Sequence, residues 1–151
     1  MLDQKDKIFK NLYGYEKWNL EGAKKRGIWS NTINIIKEGR EYIIKEIKES
    51  GLRGRGGAGF PTGLKWDFCS KEKSEKKYVI CNADEGDSGA FSDRYLLEDQ
   101  PLKVLFGMII CGYVIGSNEG VLYIRGEYPK SIEAINGSIN ALKSSKLLGE
   151  N

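Results

Sequence analysis

A glycine-rich segment at residues 51–66 constrains this chain more than any other part of its sequence. Glycine has no Cβ, so closely spaced glycines let the backbone turn at positive φ and approach a ligand closely. The amide groups that such a segment exposes can form a concave site for an anion. Six of the chain's 19 glycines lie in this segment, and they are Gly51, Gly54, Gly56, Gly57, Gly59 and Gly63. The segment therefore predicts a ligand-binding loop.

The side chains between these glycines indicate which ligand the loop would take. Arg53, Arg55 and Lys65 add positive charge suited to phosphate, and Phe60 and Trp66 offer flat faces for a planar ring. These features predict a phosphate-bearing aromatic ligand, either a nucleotide or a flavin. The sequence matches neither the P-loop pattern nor the regular dinucleotide fingerprint. The alternative is a flexible basic segment of the type that binds RNA when it is repeated.

Composition excludes several classes of function. The chain has 151 residues, the length of one ordinary domain, and its 24 basic and 21 acidic side chains leave a net charge of +3. That excess is too small to indicate a nucleic-acid partner. Histidine is missing from the sequence, which excludes His-based triads and His-ligated metals. The three cysteines form no C-x-x-C pair, so we expect no metal site and assign the thiols a structural role.

The hydropathy pattern indicates neither export nor membrane insertion. The N-terminal residues do not follow a signal-peptide pattern. The most apolar stretch, 104–115, is too short to span a bilayer. We therefore expect a chain that works in a reducing compartment without entering the membrane.

Alternating strand and helix patterns predict the fold class. The run 78–81 predicts a buried strand, 102–116 a buried helix and 121–125 a second strand. Pro129 opens a further helix, whose predicted apolar face consists of Ile132, Ile135, Ile139 and Leu142. This order predicts an α/β fold with a Rossmann-like parallel sheet and flanking helices.

The chain divides into two predicted parts. Residues 1–50 are expected to form an irregular or helical N-terminal arm, in which apolar spacing predicts a helix up to Ser50. Residues 51–151 are expected to form the first part of the α/β domain. Because a two-stranded sheet is marginally stable alone, this domain is predicted to be incomplete or to need a partner.

An acidic loop follows the first predicted strand. Four carboxylates fall within ten residues, and they are Asp84, Glu85, Asp87 and Asp93. Ligands of parallel sheets bind where strands end, so this loop could bind a metal, ribose hydroxyls or a cationic ring. Together with the glycine-rich loop, it could hold one end of a zwitterionic ligand. The alternative is a solvated turn whose Asp and Asn side chains cap backbone amides.

Four segments carry a family resemblance, namely 50–66, 78–86, 93–94 and 123–128. At these residues the sequence resembles the flavin-bearing, NADH-oxidising subunit of respiratory complex I. The related diaphorase subunits of NAD-reducing hydrogenases and formate dehydrogenases share the resemblance. The arm residues 6–14 and 26–29 are similar to the complex I members in particular.

The resemblance implies a site for FMN and NADH. The implied FMN-binding residues are Gly54, Arg55, Gly56, Gly57, Ala58 and Lys65 on one side, and Asn82, Asp84 and Glu85 on the other. Phe60 and Phe68 would border the base of NADH. Asp87 stands where complex I members usually carry Glu, and Asp87 and Glu85 are the implied catalytic carboxylates. The implied chemistry is hydride transfer from NADH to the flavin, followed by electron transfer to iron–sulfur clusters.

The resemblance also implies a cellular context. The implied partners are NADH and other subunits of a respiratory or diaphorase complex, including an iron–sulfur subunit, and no nucleic acid. The implied place is the cytoplasmic side of the inner membrane or the mitochondrial matrix side. Full-length members hold a 4Fe–4S cluster, whose cysteine ligands this sequence lacks. We therefore expect a fragment, a truncated reading frame or one half of a split subunit, which is inactive alone.

Two alternatives to the complex I assignment stay open. One is the diaphorase subunit of an NAD-linked hydrogenase or formate dehydrogenase. The other is a degenerate flavin domain that serves as a non-catalytic interaction module.

Overall fold

The computed structural model describes Lys7 and residues 17–149. The elements are α1 (Leu20–Lys25), α2 (Thr32–Glu38), α3 (Arg40–Glu49), α4 (Thr62–Lys71), β1 (Tyr78–Ala83), α5 (Ser92–Asp99), α6 (Pro101–Ile115), β2 (Glu119–Ile124) and α7 (Pro129–Ser144). The α/β prediction is confirmed. Apart from Lys7, the arm residues 6–14 that carry the resemblance lie outside the described residues.

β1 and β2 pair as a parallel two-stranded sheet. The amide of Arg125 donates to the carbonyl of Ala83 at 3.3 Å, and Gly120 lies beside the carbonyl of Val79. Residue numbers therefore increase in the same direction along both strands. Exposed and partly covered residues alternate along β1, so the strand predicted at 78–81 is confirmed but it is not buried.

The described residues form two compact units. The first unit combines the described residues up to Trp29, the range Asn82–Phe106 and the described residues from Leu122 onward. The second unit combines Ser30–Cys81 with Gly107–Val121.

In the first unit, α7 packs against α5 and α1. Its buried side chains are Ser131, Ile135 and Leu142, whereas Ile132 is 37% exposed. The predicted apolar face is therefore correct at Ile135 and Leu142, correct in part at Ile139, which is half-buried, and wrong at Ile132. Each helical residue rotates about 100°, so a stripe through residues 131, 135 and 142 turns residue 132 away from the core.

In the second unit, α3 packs against α4. The two helices lie close together at Gly63, where a Cβ would lie 2.7 Å from the backbone nitrogen of Lys48. The buried apolar side chains of this unit are Ile43, Ile44, Ile110, Val114 and Ile115. The helix predicted up to Ser50 forms as two helices, because Gly39 interrupts it at a φ of +88°.

Two helices depart from the sequence-based expectation. The sequence predicts a loop at 51–66 and a surface linker at 71–77, yet α4 occupies Thr62–Lys71. α5 forms where the sequence predicts no element. α4 contacts α3 at Gly63 and through an ion pair of Asp67 with Lys48 at 2.7 Å, so this contact gives no row of apolar residues whose spacing would reveal a helix.

Lys77 connects the ends of two helices to the start of β1. Its ammonium group donates to the carbonyls of Cys69 at 2.8 Å and Ser70 at 3.1 Å, both in the last turn of α4. A third bond, of 3.0 Å, reaches the carbonyl of Ile115 at the end of α6. The last carbonyls of a helix have no partner within the helix and carry partial negative charge, so a cation stabilises them.

Replacing Lys77 should therefore destabilise the chain. We expect Lys77→Met to lower the free energy of unfolding by about 2 kcal/mol, because three carbonyls lose a charged donor. Urea unfolding followed by circular dichroism measures the change. The matched control is Lys76→Met, which removes a solvent-exposed ion pair with Glu119 and a contact with the ring of Tyr78, and it should change stability little. Equal effects of the two variants would contradict the role of Lys77.

The close approach at Gly63 leads to a second prediction. Gly63→Ala should cost about 1–3 kcal/mol of stability, because the new methyl group would overlap the backbone of Lys48. Gly137→Ala is the control, since Gly137 lies exposed in α7 with nothing within 4 Å of its missing Cβ. That substitution should instead stabilise the chain by about 0.5–1 kcal/mol. The sign of the two changes in the same unfolding assay is the decisive measurement.

Candidate functional site

The glycine-rich loop of the second unit is closed by its own backbone. The amide of Gly54 donates to the carbonyl of Phe60 at 2.9 Å, and the amide of Thr62 donates to the carbonyl of Leu52 at 2.9 Å. The guanidinium of Arg53 adds a bond of 3.1 Å to the carbonyl of Gly59. These bonds shape residues 54–60 into a loop that leads directly into the N-terminus of α4.

Backbone conformation requires glycine at two positions of this loop. Gly57 and Gly59 have φ values of +110° and +61°, a backbone region that side chains disfavour. At Gly56 the space in front of the backbone is open, because nothing lies within 4 Å of a missing Cβ. The loop thus presents bare backbone to the space around it, as a phosphate-binding loop does.

A cavity of about 600 Å³ lies beside this loop, within the second unit. This volume falls in the range of small-molecule sites. Five residues predicted to bind cofactor line it, namely Gly54, Gly56, Ala58, Phe60 and Lys65. Arg55, Gly57 and Phe68 belong to the same unit but are not among its lining residues, and Phe68 is 57% exposed.

α4 forms one wall of the cavity, and the sequence predicts only part of this wall. Thr62, Lys65, Trp66 and Cys69 line the cavity at the spacing of one helical face. The sequence predicts a flat surface at Trp66 but assigns no ligand contact to Thr62 or Cys69. The four residues share a helical spacing but not a common polarity, so they give no hydrophobic period that would have revealed this wall from the sequence.

The thiol of Cys111 in the cavity wall is a poor nucleophile. Burial, followed by the nearby thiol of Cys69, raises the pKa of Cys111 to about 11, and Lys65 opposes this only partly. Cys111 is therefore a neutral thiol at pH 7, since the thiolate is the reactive form. Both residues act as polarisable packing surface of the cavity.

The acidic loop belongs to the first unit. The side chains of Asn82, Asp84 and Asp87 are exposed, whereas Glu85 is buried. The side-chain oxygen of Asn82 accepts from the amide of Asp84 at 3.2 Å, which is the backbone capping expected of a turn. Asp84 and Asp87 leave their carboxylates accessible to a ligand.

Glu85 caps the first turn of α5. One carboxylate oxygen accepts from the hydroxyl of Ser92 at 2.9 Å and from the amide of Asp93 at 3.1 Å. The other accepts from the amide of Arg94 at 3.3 Å. Burial alone would raise the pKa of Glu85, but these hydrogen bonds outweigh it and hold the pKa below its ordinary value. The residue that precedes the helix, Phe91, makes no side-chain cap, so Glu85 fulfils that role from a distance.

Arg125 and Tyr128, which both follow β2, hold Glu85. Arg125 contacts its backbone, and Tyr128 lies beside its side chain. The guanidinium of Arg125 donates to the carbonyl of Glu85 at 2.7 Å, and the hydroxyl of Tyr128 lies 3.5 Å from its carboxylate. Arg125 also pairs with Glu127 at 3.2 Å. The carboxylate predicted as catalytic thus has a structural role here, and its contact with a cofactor stays a prediction.

Among the described residues, no group of three or more His, Cys, Asp or Glu side chains could hold a metal ion. The helices of residues 17–149 include none with the length and apolarity needed to cross a membrane.

Comparison with protein families gives one match that covers most of the chain. The model of the Nuo51 FMN-binding domain matches residues 47–148. The chain is 43% identical over all of its 151 residues to an NADH-quinone oxidoreductase subunit of Rickettsia felis. It is also 43% identical over the same length to the corresponding protein of Rickettsia typhi. In both cases the chain spans 36% of the relative's length.

A solved structure shows the same similarity. The NAD+-reducing NiFe hydrogenase in its air-oxidized state superposes with a TM-score of 0.67 at 38% identity, over 74% of this chain and 20% of that one. The H2-reduced state of the hydrogenase gives a TM-score of 0.62.

The capping role of Glu85 predicts how stability depends on pH. Since its folded pKa is depressed, the ionised carboxylate stabilises the chain above its ordinary pKa of 4.5, and this contribution is lost as the pH falls. Glu85→Gln should cost about 1–2 kcal/mol at pH 7 and should flatten the fall in stability below pH 4.5. Thermal melts between neutral and acidic pH measure both effects. The control, Glu133→Gln, alters an exposed residue of α7 and should reproduce the wild-type profile. Identical profiles for all three proteins would contradict the capping role.

Proposed function

The chain belongs to the Nuo51 FMN-binding-domain family, and we propose that it forms the FMN-binding part of an NADH-oxidising flavoprotein subunit. The observation that carries the proposal is the cavity of about 600 Å³, walled by bare glycine backbone, aromatic rings and Lys65. A second cavity of the same unit, beside Lys48 and Asp67, has neither glycine backbone nor aromatic rings in its wall.

The residues present fit FMN. Open space in front of Gly56 and the positive φ of Gly57 and Gly59 let backbone amides approach a phosphate without obstruction. Lys65 supplies a cation in the cavity wall. Phe60 and Trp66 supply rings beside which the isoalloxazine can pack. Arg55 and Ala58 complete the loop.

The cofactor would supply the redox chemistry, since a bound flavin accepts two electrons as a hydride. The chain's own residues would position the flavin and NADH and polarise them. We assign Asn82 and Asp84 to contacts with the flavin, and Asp87 to the nicotinamide end of NADH. Glu85 keeps this loop in place through α5 and acts as a positioning residue. Phe60 and Phe68 would border the NADH base.

The remaining functional assignments concern the assembly. We propose that this subunit passes electrons to iron–sulfur clusters of other subunits, at the cytoplasmic or matrix face of a membrane. The curated relatives are subunits named for NADH-quinone oxidoreductase, which supports a multi-subunit context.

A diaphorase role in an NAD-linked hydrogenase is the second candidate. It is favoured by the superposition with an NAD+-reducing NiFe hydrogenase over 74% of this chain. The identity of 43% over the full chain to the quinone-linked relatives, against 38% to the hydrogenase, ranks it second.

The first test is whether the chain retains flavin. FMN is added to the chain alone, and separately to the chain co-expressed with the part of the Rickettsia felis relative that it does not match. Each preparation is desalted and its visible absorption spectrum recorded. We expect flavin bands only in the co-expressed preparation. Bands from the chain alone would show a self-sufficient site, and bands from neither would favour the non-catalytic interaction module.

The second test addresses the cavity wall directly. Lys65→Met should weaken FMN binding about tenfold or more, because a hydrogen bond between charged partners is lost. The control is Lys71→Met on the same helix, where the lysine is 72% exposed and pairs with Asp67 at 2.8 Å. Quenching of FMN fluorescence in the flavin-retaining preparation gives both affinities. An equal loss of FMN affinity in the two variants would indicate that the phosphate does not bind at Lys65.

A further inference from the structure

Two cysteines share the wall of the cavity beside the glycine-rich loop. Cys69 lies near the end of α4 and Cys111 in the second half of α6, and both residues line the cavity. Both thiols are free and half-buried. The third cysteine of the chain, Cys81 in β1, is not among the lining residues. The cavity thus brings together two thiols that are far apart in the sequence.

The face of α4 that carries Cys69 is turned toward Cys111. Lys65 and Cys69 are four residues apart, so their side chains lie on the same face of the helix. Burial is the largest cause of the raised pKa of Cys111, the thiol of Cys69 raises it further, and Lys65 lowers it. Electrostatic effects weaken with distance, so two residues of one helical face that both act on the Cys111 thiol lie close to it.

A backbone contact holds the two helices together at this point. The ammonium group of Lys77 donates to the carbonyl of Cys69 at 2.8 Å and to the carbonyl of Ile115 at 3.0 Å. Ile115 follows Cys111 by four residues, which is about one helical turn, and it lines the same cavity. The helix ends that carry the two cysteines therefore cannot separate without breaking a charged hydrogen bond, which preorganises the pair of thiols.

The chemistry of this pair indicates which ligand it would take. Thiolates are soft ligands, which select soft cations such as Cu(I) over hard cations such as Mg²⁺. Two thiolates are enough for Cu(I), and each thiol releases one proton to solvent when it coordinates the ion. The resulting complex of one monovalent cation and two thiolates carries one negative charge, which the ammonium group of Lys65 in the same wall can compensate. A divalent soft cation would give a neutral complex and gain nothing from Lys65.

We propose that Cys69 and Cys111 form a two-thiolate site for a soft monovalent cation, Cu(I), with Lys65 compensating the charge of the complex. The sequence predicts no metal site, because the cysteines form no C-x-x-C pair and only the fold brings these two together. A site with two ligands also agrees with the lack of any larger group of metal-binding side chains in the described part of the chain. The proposal goes beyond the proposed function, because it concerns a metal ion and requires no flavin.

The test measures Cu(I) binding to the flavin-free chain of 151 residues. Under anaerobic conditions with ascorbate as reductant, the chain competes for Cu(I) with bicinchoninate, whose copper complex is coloured. We expect one ion per chain, and Cys69→Ser and Cys111→Ser should each weaken binding about a hundredfold, because each removes one of the two ligands. Cys81→Ser is the matched control and should keep the wild-type affinity. Lys65→Met should weaken binding about tenfold, because the negative complex loses its neighbouring cation.

A second measurement on the wild-type chain separates loss of a ligand from a folding defect of the variants. The chain is treated with iodoacetamide in the presence and absence of Cu(I), and the modified cysteines are quantified by mass spectrometry. Cu(I) should slow the modification of Cys69 about tenfold, because a coordinated thiolate is not available to react. The modification rate of Cys81 should stay the same.

Several results would overturn the proposal. Affinity for Cu(I) that neither Cys69→Ser nor Cys111→Ser lowers would do so, and so would equal protection of Cys69 and Cys81. One ion for every two chains, together with dimerisation, would replace the proposed site by one between two copies. Because FMN is absent from both measurements, a failure of flavin binding leaves these results interpretable.

Discussion

The second unit depends on the ammonium group of Lys77. Three carbonyls at the ends of α4 and α6 converge on this one donor, and the next residue along the chain begins β1. The carbonyl of Lys77 in turn accepts from the hydroxyl of Ser117 at 2.6 Å, just ahead of β2. One residue thus links the ends of two helices to the starts of two strands. A partly buried cation can hold this position because the carbonyls compensate for the water that it loses.

That arrangement has a direct consequence for the candidate site. The cavity is bounded by α4, by the start of β1 and by the last turns of α6, which are the elements that Lys77 joins. Gly63 lets α4 lie against α3, and the loop ahead of α4 is closed by bonds between Leu52 and Thr62 and between Gly54 and Phe60. The cavity therefore owes its shape to backbone contacts, and side chains such as Lys65 and Trp66 add charge and flat surface to a preformed space.

The first unit uses a buried carboxylate in a similar way. Glu85 accepts three hydrogen bonds from the start of α5, and Arg125 holds its backbone. The exposed neighbours Asp84 and Asp87 are presented by a loop whose centre is fixed. A loop held in this way can contribute to a binding site without losing much conformational entropy when the ligand arrives.

The amino-acid sequence alone was enough to predict the order of the two strands and the family. Apolar runs, Pro129 and the glycine spacing are local signals, and each follows from the chemistry of a few neighbouring residues. Only the tertiary structure establishes that Thr62–Lys71 is a helix, that Ile132 is partly exposed and that Glu85 caps α5. The physical reason is that each outcome depends on contacts with residues distant in sequence or in a neighbouring element. Lys48 stands opposite Gly63, and the amide of Asp93 lies beside Glu85. No local pattern encodes such pairs, because a glycine contact and a carboxylate cap leave no periodic signal.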